Sequence, residues 1–194
     1  LQDQATAIPY EELAPHLEAA LGKSLESAFA RIDPKPIGVA SIGQVHSGLT
    51  RRGQKVVLKI QKPGIRAKIE SDLRLLDQLA KLAADNSVEL RRYRPVELVD
   101  FTIEARNADR IRKNLRSLKW LTVPRVYWEL SSQTLQVQEH IQGIPARATD
   151  ELDAEGLDRV LIARRGALAA WKMALEDGFF HADPHPGNIM LTDD

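Results

Sequence analysis

Cysteine is missing from this chain of 194 residues, which excludes a disulfide framework, a thiolate zinc site and a thiol nucleophile. Neither sign of charge is in excess, because 27 Lys and Arg residues balance 27 Asp and Glu residues. A basic excess is typical of proteins that bind nucleic acid, so nucleic acid is not an expected partner. The longest apolar runs are too short to cross a membrane, and no signal peptide is visible.

What is present is an ordinary globular composition, with 43% hydrophobic and 28% charged residues. The length allows one domain with a real core, or most of a two-lobed one. No internal repeat and no low-complexity tract is visible. The chain starts at Leu1 rather than at Met, so we expect it to be a piece of something longer.

The most informative segment is residues 181–188, which read H-A-D-P-H-P-G-N. Protein-kinase catalytic loops have the same spacing, His-x-Asp followed after four residues by Asn. In those loops the Asp orients the attacking hydroxyl and the Asn holds a magnesium ion on the phosphates. Asp183 is therefore the predicted catalytic residue, and Asn188 is the predicted metal ligand. A loop rich in Pro, Gly and Asn is equally typical of a plain helix-to-strand turn, so the assignment depends on what lies upstream.

A candidate phosphate-binding loop lies upstream, followed by a predicted β-hairpin of residues 44–49 and 55–61. Protein kinases place their nucleotide loop before such a hairpin. They carry a lysine on the third strand of the small lobe, in a V-A-I-K context. Residues 56–59 read V-V-L-K, so Lys59 is expected to reach the α- and β-phosphates. A lone lysine in a strand usually lies on the solvent-exposed face, but the order of loop, lysine and catalytic loop favours nucleotide binding. The loop residues predicted to contact nucleotide are Ile37, Gly38, Val39, Ala40, Ser41, Ile42, Gly43, Gln44 and Val45.

The loop departs from the G-x-G-x-x-G of ordinary kinases, because residues 40–46 read A-S-I-G-Q-V-H. Three other motifs accompany it: Q-K-P-G-I at 61–65, F-T-I-E-A-R-N-A at 101–108, and the H-A-D-P-H-P-G-N loop. On these motifs, in this order, the chain resembles the UbiB family of atypical kinases, also called the ADCK or AarF group. The resemblance spans nearly the whole chain.

The resemblance implies an α/β fold, protein-kinase-like and two-lobed, with the small lobe and the start of the large lobe present here. It implies ATP or ADP and Mg²⁺ as cofactors. Glu104 would aim Lys59, although a solvated Glu104 paired with Arg110 is the alternative. Glu139 and Ile141 stand at the implied hinge, where backbone groups would bind adenine.

The family also implies a role: ATP hydrolysis in support of ubiquinone or related isoprenoid-lipid biosynthesis, more than phosphorylation of proteins. The implied partners are an isoprenoid lipid or quinone-biosynthesis enzymes. The implied location is cytoplasmic, peripheral to the bacterial inner membrane, or the mitochondrial inner membrane in a eukaryote, with membrane association through segments not present here.

Three family features are missing or altered. The N-terminal K-x-G-Q motif and the D-F-G aspartate are not found, and Asp193-Asp194 is interpreted as a turn. In the E-x-D pattern Asp100 matches the Asp, but Leu98 stands where the Glu belongs. A deletion or gap near residues 99–101 would explain this. With one metal ligand absent, the residues as written predict weak or no turnover.

The predicted regions are an N-terminal helical extension (1–36), a kinase-like small lobe with nucleotide loop and hinge (37–141), and a truncated large lobe with the catalytic loop (142–194). Helices are predicted over 10–31, 65–84, 97–115 and 157–177. Strands are predicted over 123–129 and 134–140 in addition to the hairpin. The residues of the last helix predicted to face inward are Leu157, Val160, Leu161, Leu168, Trp171 and Leu175.

Two other functions remain open. A small-molecule kinase of the aminoglycoside or choline type shares the catalytic-loop spacing but is not expected to carry the A-S-I-G-Q-V-H segment. A non-catalytic scaffold that binds nucleotide or lipid is favoured by the missing metal ligand.

Overall fold

A mixed α/β fold is seen in the computed structural model, which describes residues 6–83, 100–181 and 186–192. Within these ranges the helices are α1 Tyr10–Leu21, α2 Leu25–Ala28, α3 Ile65–Ala83, α4 Phe101–Asn114, α5 Thr149–Ala154 and α6 Arg159–Trp171. The strands are β1 Phe29–Ile32, β2 Gly38–Val39, β3 Gly43–Thr50, β4 Lys55–Gln61, β5 Leu135–Glu139, β6 Ile144–Pro145 and β7 Met190–Leu191. The α/β prediction is confirmed.

The described residues form one larger antiparallel sheet in the order β1-β3-β4-β5, with β2 also paired to β3. The predicted hairpin is β3 and β4, joined by a turn at Gly53, whose φ of 79° suits glycine. Residues of β4 alternate between two faces, as the period of a strand requires. Val56, Leu58 and Ile60 are buried, while Lys59 points to the other face.

The buried face of the sheet is covered by α1, whose Leu13 and Leu17 are fully buried against the β4 and β5 side chains. This helix begins after Pro9 and carries acidic residues in its first turn, where the helix dipole favours them. Gly22 ends it in the left-handed conformation, donating its N–H to the carbonyl of Glu18 at 2.8 Å. Pro15 lies inside the helix, which continues through it.

Two local predictions of strand and helix are wrong. Residues 29–32 form β1 rather than the end of a helix, because the edge of β3 offers them a pairing partner. Residues 123–129 do not form a strand: Val126 makes one bridge to Gln138, and a 3-10 turn, Trp128–Leu130, follows. Pro124 has no N–H to give to a ladder, which explains the interruption.

The chain divides into two compact units. The first comprises Leu1–Ala105 and Val126–Glu139, and the second Arg106–Arg125 and His140–Asp194. In the second unit β6 pairs with β7, and a Cβ at Gly143 would collide with the carbonyl oxygen of Leu191. Only glycine allows this approach, which fixes the strand that follows Asn188.

The inward face predicted for the last helix is wrong. In α6 and the π-helical turn Lys172–Glu176 that extends it, Ala169 is buried and Ile162 and Met173 are half-buried. The helix carries apolar residues on two sides, so periodicity alone could not choose between them. Leu157 of the predicted face is half-buried, but the other five residues are exposed by 44% to 65%: Val160, Leu161, Leu168, Trp171 and Leu175.

Candidate active site

Lys59 and Glu104 form the ion pair that the sequence predicts. The Lys59 ammonium donates to both Glu104 carboxylate oxygens at 2.7 Å. Neither side chain is buried, with 34% and 52% of their areas exposed, so the pair is open to solvent. The Lys59 ammonium also lies 5.0 Å from the centre of the Phe101 ring, within reach of a cation–π attraction. The lysine is thus held in one orientation while remaining accessible.

The start of α4 is fixed so that Glu104 meets the sheet. Asp100 precedes the helix and accepts hydrogen bonds from the N–H and hydroxyl of Thr102 at 2.8 and 2.7 Å, which caps the helix. The N–H of Phe101 donates to the carbonyl of Gln133, just before β5. Phe101 and Ala105 are buried, and Glu104 between them faces outward.

The predicted nucleotide loop is a tight connection between β2 and β3. The N–H of Ile37 donates to the carbonyl of Val45 at 2.8 Å, and the N–H of Ala40 donates to the carbonyl of Gly43 at 2.8 Å. Around the turn, the side chains at positions 37, 39, 40 and 41 are exposed, Ile42 and Val45 are half-buried, and Gly38 is half-buried. The tip therefore offers backbone and small side chains to solvent.

The two glycines of this loop have different surroundings. A Cβ at Gly43 would lie 2.6 Å from the carbonyl oxygen of Ile60, a backbone atom that cannot move away without disturbing β4. A Cβ at Gly38 would meet only the Val45 Cβ at 4.0 Å. Gly43 is therefore required by strand packing, whereas Gly38 is not.

We expect Gly43→Ala to destabilise the protein by about 2 kcal/mol, since the added methyl group must part β3 from β4. Gly38→Ala is the matched control and should change the free energy of unfolding by less than about 0.5 kcal/mol. Urea unfolding of both variants measures the difference. Equal stability of the two would show that the β3–β4 contact is looser than this.

Gln44 and His46 were not predicted to be buried, yet both side chains are fully buried. Gln44 exchanges two hydrogen bonds with the backbone of Ile8, so any contact of Gln44 with a nucleotide would go through its own backbone. A polar residue at every second position of an apolar strand is the signal that could have marked them. Their partners lie far away in sequence and could not be read from it.

The catalytic-loop region is described only in part. Asp183 and His185 lie outside the described residues, so the predicted catalytic residue has no structural account. His181 is exposed, and Asn188 is exposed at the end of the 3-10 turn Pro186–Asn188, directly before β7. Among the described residues, no group of three His, Asp or Glu side chains is placed to hold a metal ion.

The helix leading to this loop ends in a charged cluster. The Lys172 ammonium donates to Asp177 at 2.8 Å and lies 3.4 Å from Glu176. The hydrogen bond to Asp177 raises the pKa of Lys172, with Glu176 adding to the effect against the opposing influence of burial. Gly178 then adopts a φ of 57° and turns the chain. The helical segment ends at Glu176, next to the predicted end at residue 177.

The predicted hinge residues lie on either side of the division between the units. Glu139 is the last residue of β5 and pairs with Val56, and Ile141 is a half-buried residue after the strand. Their predicted role in binding adenine stays a prediction. Leu98 and Asp193-Asp194, which bear on the missing metal ligands, lie outside the described residues.

A protein-kinase-like small lobe is defined by three features together: the lysine on β4, the glutamate on α4 and the glycine-containing hairpin of β3 and β4. Comparison with known proteins identifies the family. The family model described as "ABC1 atypical kinase-like domain" matches residues 1–194. The chain belongs to this family, and the predicted UbiB resemblance is confirmed.

The relatives come from bacteria and a plant. The chain is 39% identical over 203 residues to the "Probable protein kinase UbiB" of Vibrio parahaemolyticus, covering 98% of this chain and 37% of that protein. It is 37% identical over 204 residues to "Uncharacterized protein sll1770" of Synechocystis, covering 99% and 35%. It is 35% identical over 206 residues to the chloroplastic "Protein ACTIVITY OF BC1 COMPLEX KINASE 7" of Arabidopsis thaliana, covering 100% and 29%.

A solved structure of Rv3197 from Mycobacterium tuberculosis, described as a complex with erythromycin, superposes with a TM-score of 0.79 at 28% identity. The match covers 96% of this chain and 49% of that one. The chain therefore spans between 29% and 49% of the length of these four proteins. No helix within the described residues is long and apolar enough to cross a membrane.

Proposed function

We propose that the chain is the nucleotide-binding part of an ATP-dependent, Mg²⁺-dependent atypical kinase or ATPase. The observation that carries the proposal is the Lys59–Glu104 ion pair on the open face of the sheet, next to the hairpin loop of residues 37–45. A kinase needs this pair in place to hold the phosphates of ATP.

The residues present fit a nucleotide with a divalent cation. The Lys59 ammonium has three N–H donors and directs two of them at Glu104, which leaves a third for a phosphate oxygen. In the second unit Asn188 is an exposed residue, and an amide oxygen is a hard donor of the kind Mg²⁺ accepts. When bound, the metal would neutralise phosphate charge. Asp183 would orient the nucleophile, a hydroxyl or water, and take its proton.

Binding and hydrolysis are tested separately. Titration with a non-hydrolysable ATP analogue in Mg²⁺ should show saturable binding that weakens in EDTA, and phosphate release from ATP should require Mg²⁺. Binding without phosphate release under single-turnover conditions would favour a non-catalytic scaffold instead. Phosphate appearing on a hydroxylated or amino small molecule would favour the small-molecule kinase. No binding at all would contradict the proposal.

The physiological role we propose is support of ubiquinone or related isoprenoid-lipid biosynthesis, in contact with an isoprenoid lipid or quinone-biosynthesis enzymes at the cytoplasmic side of an inner membrane. The 39% identity to a protein named UbiB supports this proposal. Ubiquinone content in a bacterial strain lacking its own UbiB-type protein tests it. Restoration by the protein, but not by Lys59→Met, is expected; equal quinone levels with and without the protein would contradict it.

A further inference from the structure

We propose that Gln44 and His46 are positioning residues that couple the docking of the segment before α1 to nucleotide binding by the loop of residues 37–43. The inference rests on the proposed function of that loop. It concerns a buried hydrogen-bond network, which we name the Gln44–His46 clasp.

The clasp joins strand β3 to the backbone of Ile8. The Gln44 side-chain oxygen accepts the N–H of Ile8 at 2.9 Å, and its amide nitrogen donates to the Ile8 carbonyl at 3.1 Å. The same amide nitrogen lies 2.8 Å from Nε2 of His46. His46 Nδ1 lies 2.8 Å from the carbonyl oxygen of Asp33. Both side chains have no exposed area.

These partners fix every proton in the clasp. The Asp33 carbonyl can only accept, so His46 Nδ1 carries the hydrogen, and Nε2 of the neutral ring accepts from Gln44. Rotating the Gln44 side-chain amide by half a turn would place its NH₂ group against the N–H of Ile8, which is also a donor. A buried network in which each member has its partner specifies one arrangement, because any alternative leaves a desolvated polar atom unpaired.

The clasp holds both ends of the chain segment that carries the loop. Asp33, where this segment leaves β1, bonds to His46 through its carbonyl and to the Ser47 carbonyl through its N–H at 2.9 Å. Gln44, where the segment returns, pairs with Val39 of β2. The position of the loop tip is therefore set by Gln44, which binds Ile8, and by His46, which binds Gln44 and Asp33.

Coupling of this kind is reciprocal. If docking of Ile8 orders the loop for a nucleotide, then a bound nucleotide must strengthen the docking of Ile8 by the same factor. A clasp that merely stabilises the fold would let nucleotide slow Ile8 exchange only as much as it slows amides that exchange through global unfolding. The N–H of Ile8 reports the docking directly, since it donates to the Gln44 side chain.

The experiment is hydrogen exchange of the Ile8 amide with and without the non-hydrolysable ATP analogue and Mg²⁺, together with titration of Gln44→Leu. We expect nucleotide to slow Ile8 exchange and Gln44→Leu to weaken nucleotide binding, each by about 5-fold or more. Thr50→Val is the matched control. Its buried hydroxyl bonds to Gln54 at the far end of β3, and its loss should leave nucleotide affinity unchanged.

Each outcome is decisive. Nucleotide binding by the parent protein with unchanged Ile8 exchange would overturn the coupling and leave the proposed function intact. Absence of nucleotide binding by the parent protein would overturn both. If Gln44→Leu does not fold, Ile8 exchange in the parent protein still decides the question.

Discussion

Lys59→Met is expected to lower kcat/KM for ATP hydrolysis by about 100-fold or more, the usual effect of removing one electrostatic contact to the reacting group. Met preserves most of the length and apolar stem of the lysine but has no charge. The loss would be measured as single-turnover phosphate release at subsaturating ATP. This format suits a slow enzyme, and slow turnover is what the sequence predicts.

Stability should hardly change in the same variant. The Lys59–Glu104 pair is partly exposed, and exposed ion pairs contribute at most about 1 kcal/mol. A large loss of activity with an almost unchanged urea midpoint therefore separates a role in binding from a role in folding. Lys55→Met is the matched control, because Lys55 lies on the same strand and is exposed. An equal effect of the two substitutions would contradict the assigned role.

Glu104 should act through Lys59 and not by itself. Glu104→Gln leaves an amide that still accepts one hydrogen bond, so its loss of activity is expected to be smaller than that of Lys59→Met. In the double variant the two losses should not add, because residues in one contact act as a unit. Additive losses would mean that Glu104 serves another partner.

The parts of the site that could be predicted are those in which sequence order determines position. Lys59 sits in an alternating apolar strand and Glu104 on a helix, and the resemblance to the family implied that the two would pair. The β3–β4 hairpin could be predicted from the residues of its turn. The end of the last helix could be predicted because a glycine, Gly178, follows it.

The parts that could not be predicted depend on contacts distant in sequence. The strand β1 exists because β3 has a free edge to pair with, and nothing local distinguishes residues 29–32 from the helix before them. Gln44 was expected to face a nucleotide, but its side chain forms hydrogen bonds with the backbone of Ile8, 36 residues away in sequence. The inward side of α6 depends on what packs there, since both of its sides are apolar.

Asp183→Asn should have an equally large effect of a different kind. The substitution keeps the size of the side chain and removes its ability to take a proton. We expect kcat to fall by about 100-fold or more, the contribution typical of a general base, with nucleotide binding retained. Lys59→Met, in contrast, should reduce the capture of ATP. The prediction for Asp183 comes from the spacing to Asn188.

Single-turnover hydrolysis at saturating ATP and titration with the non-hydrolysable analogue measure the two quantities in one preparation. Asp153→Asn is the control, an exposed carboxylate that pairs with Arg159 on the surface of the second unit. If Asp183→Asn hydrolyses ATP as fast as the parent protein, the loop is a turn and the phosphoryl-transfer assignment fails. If the variant binds nucleotide but no longer hydrolyses it, the resemblance in spacing reflects chemistry, because a turn has no need of a carboxylate that can be protonated.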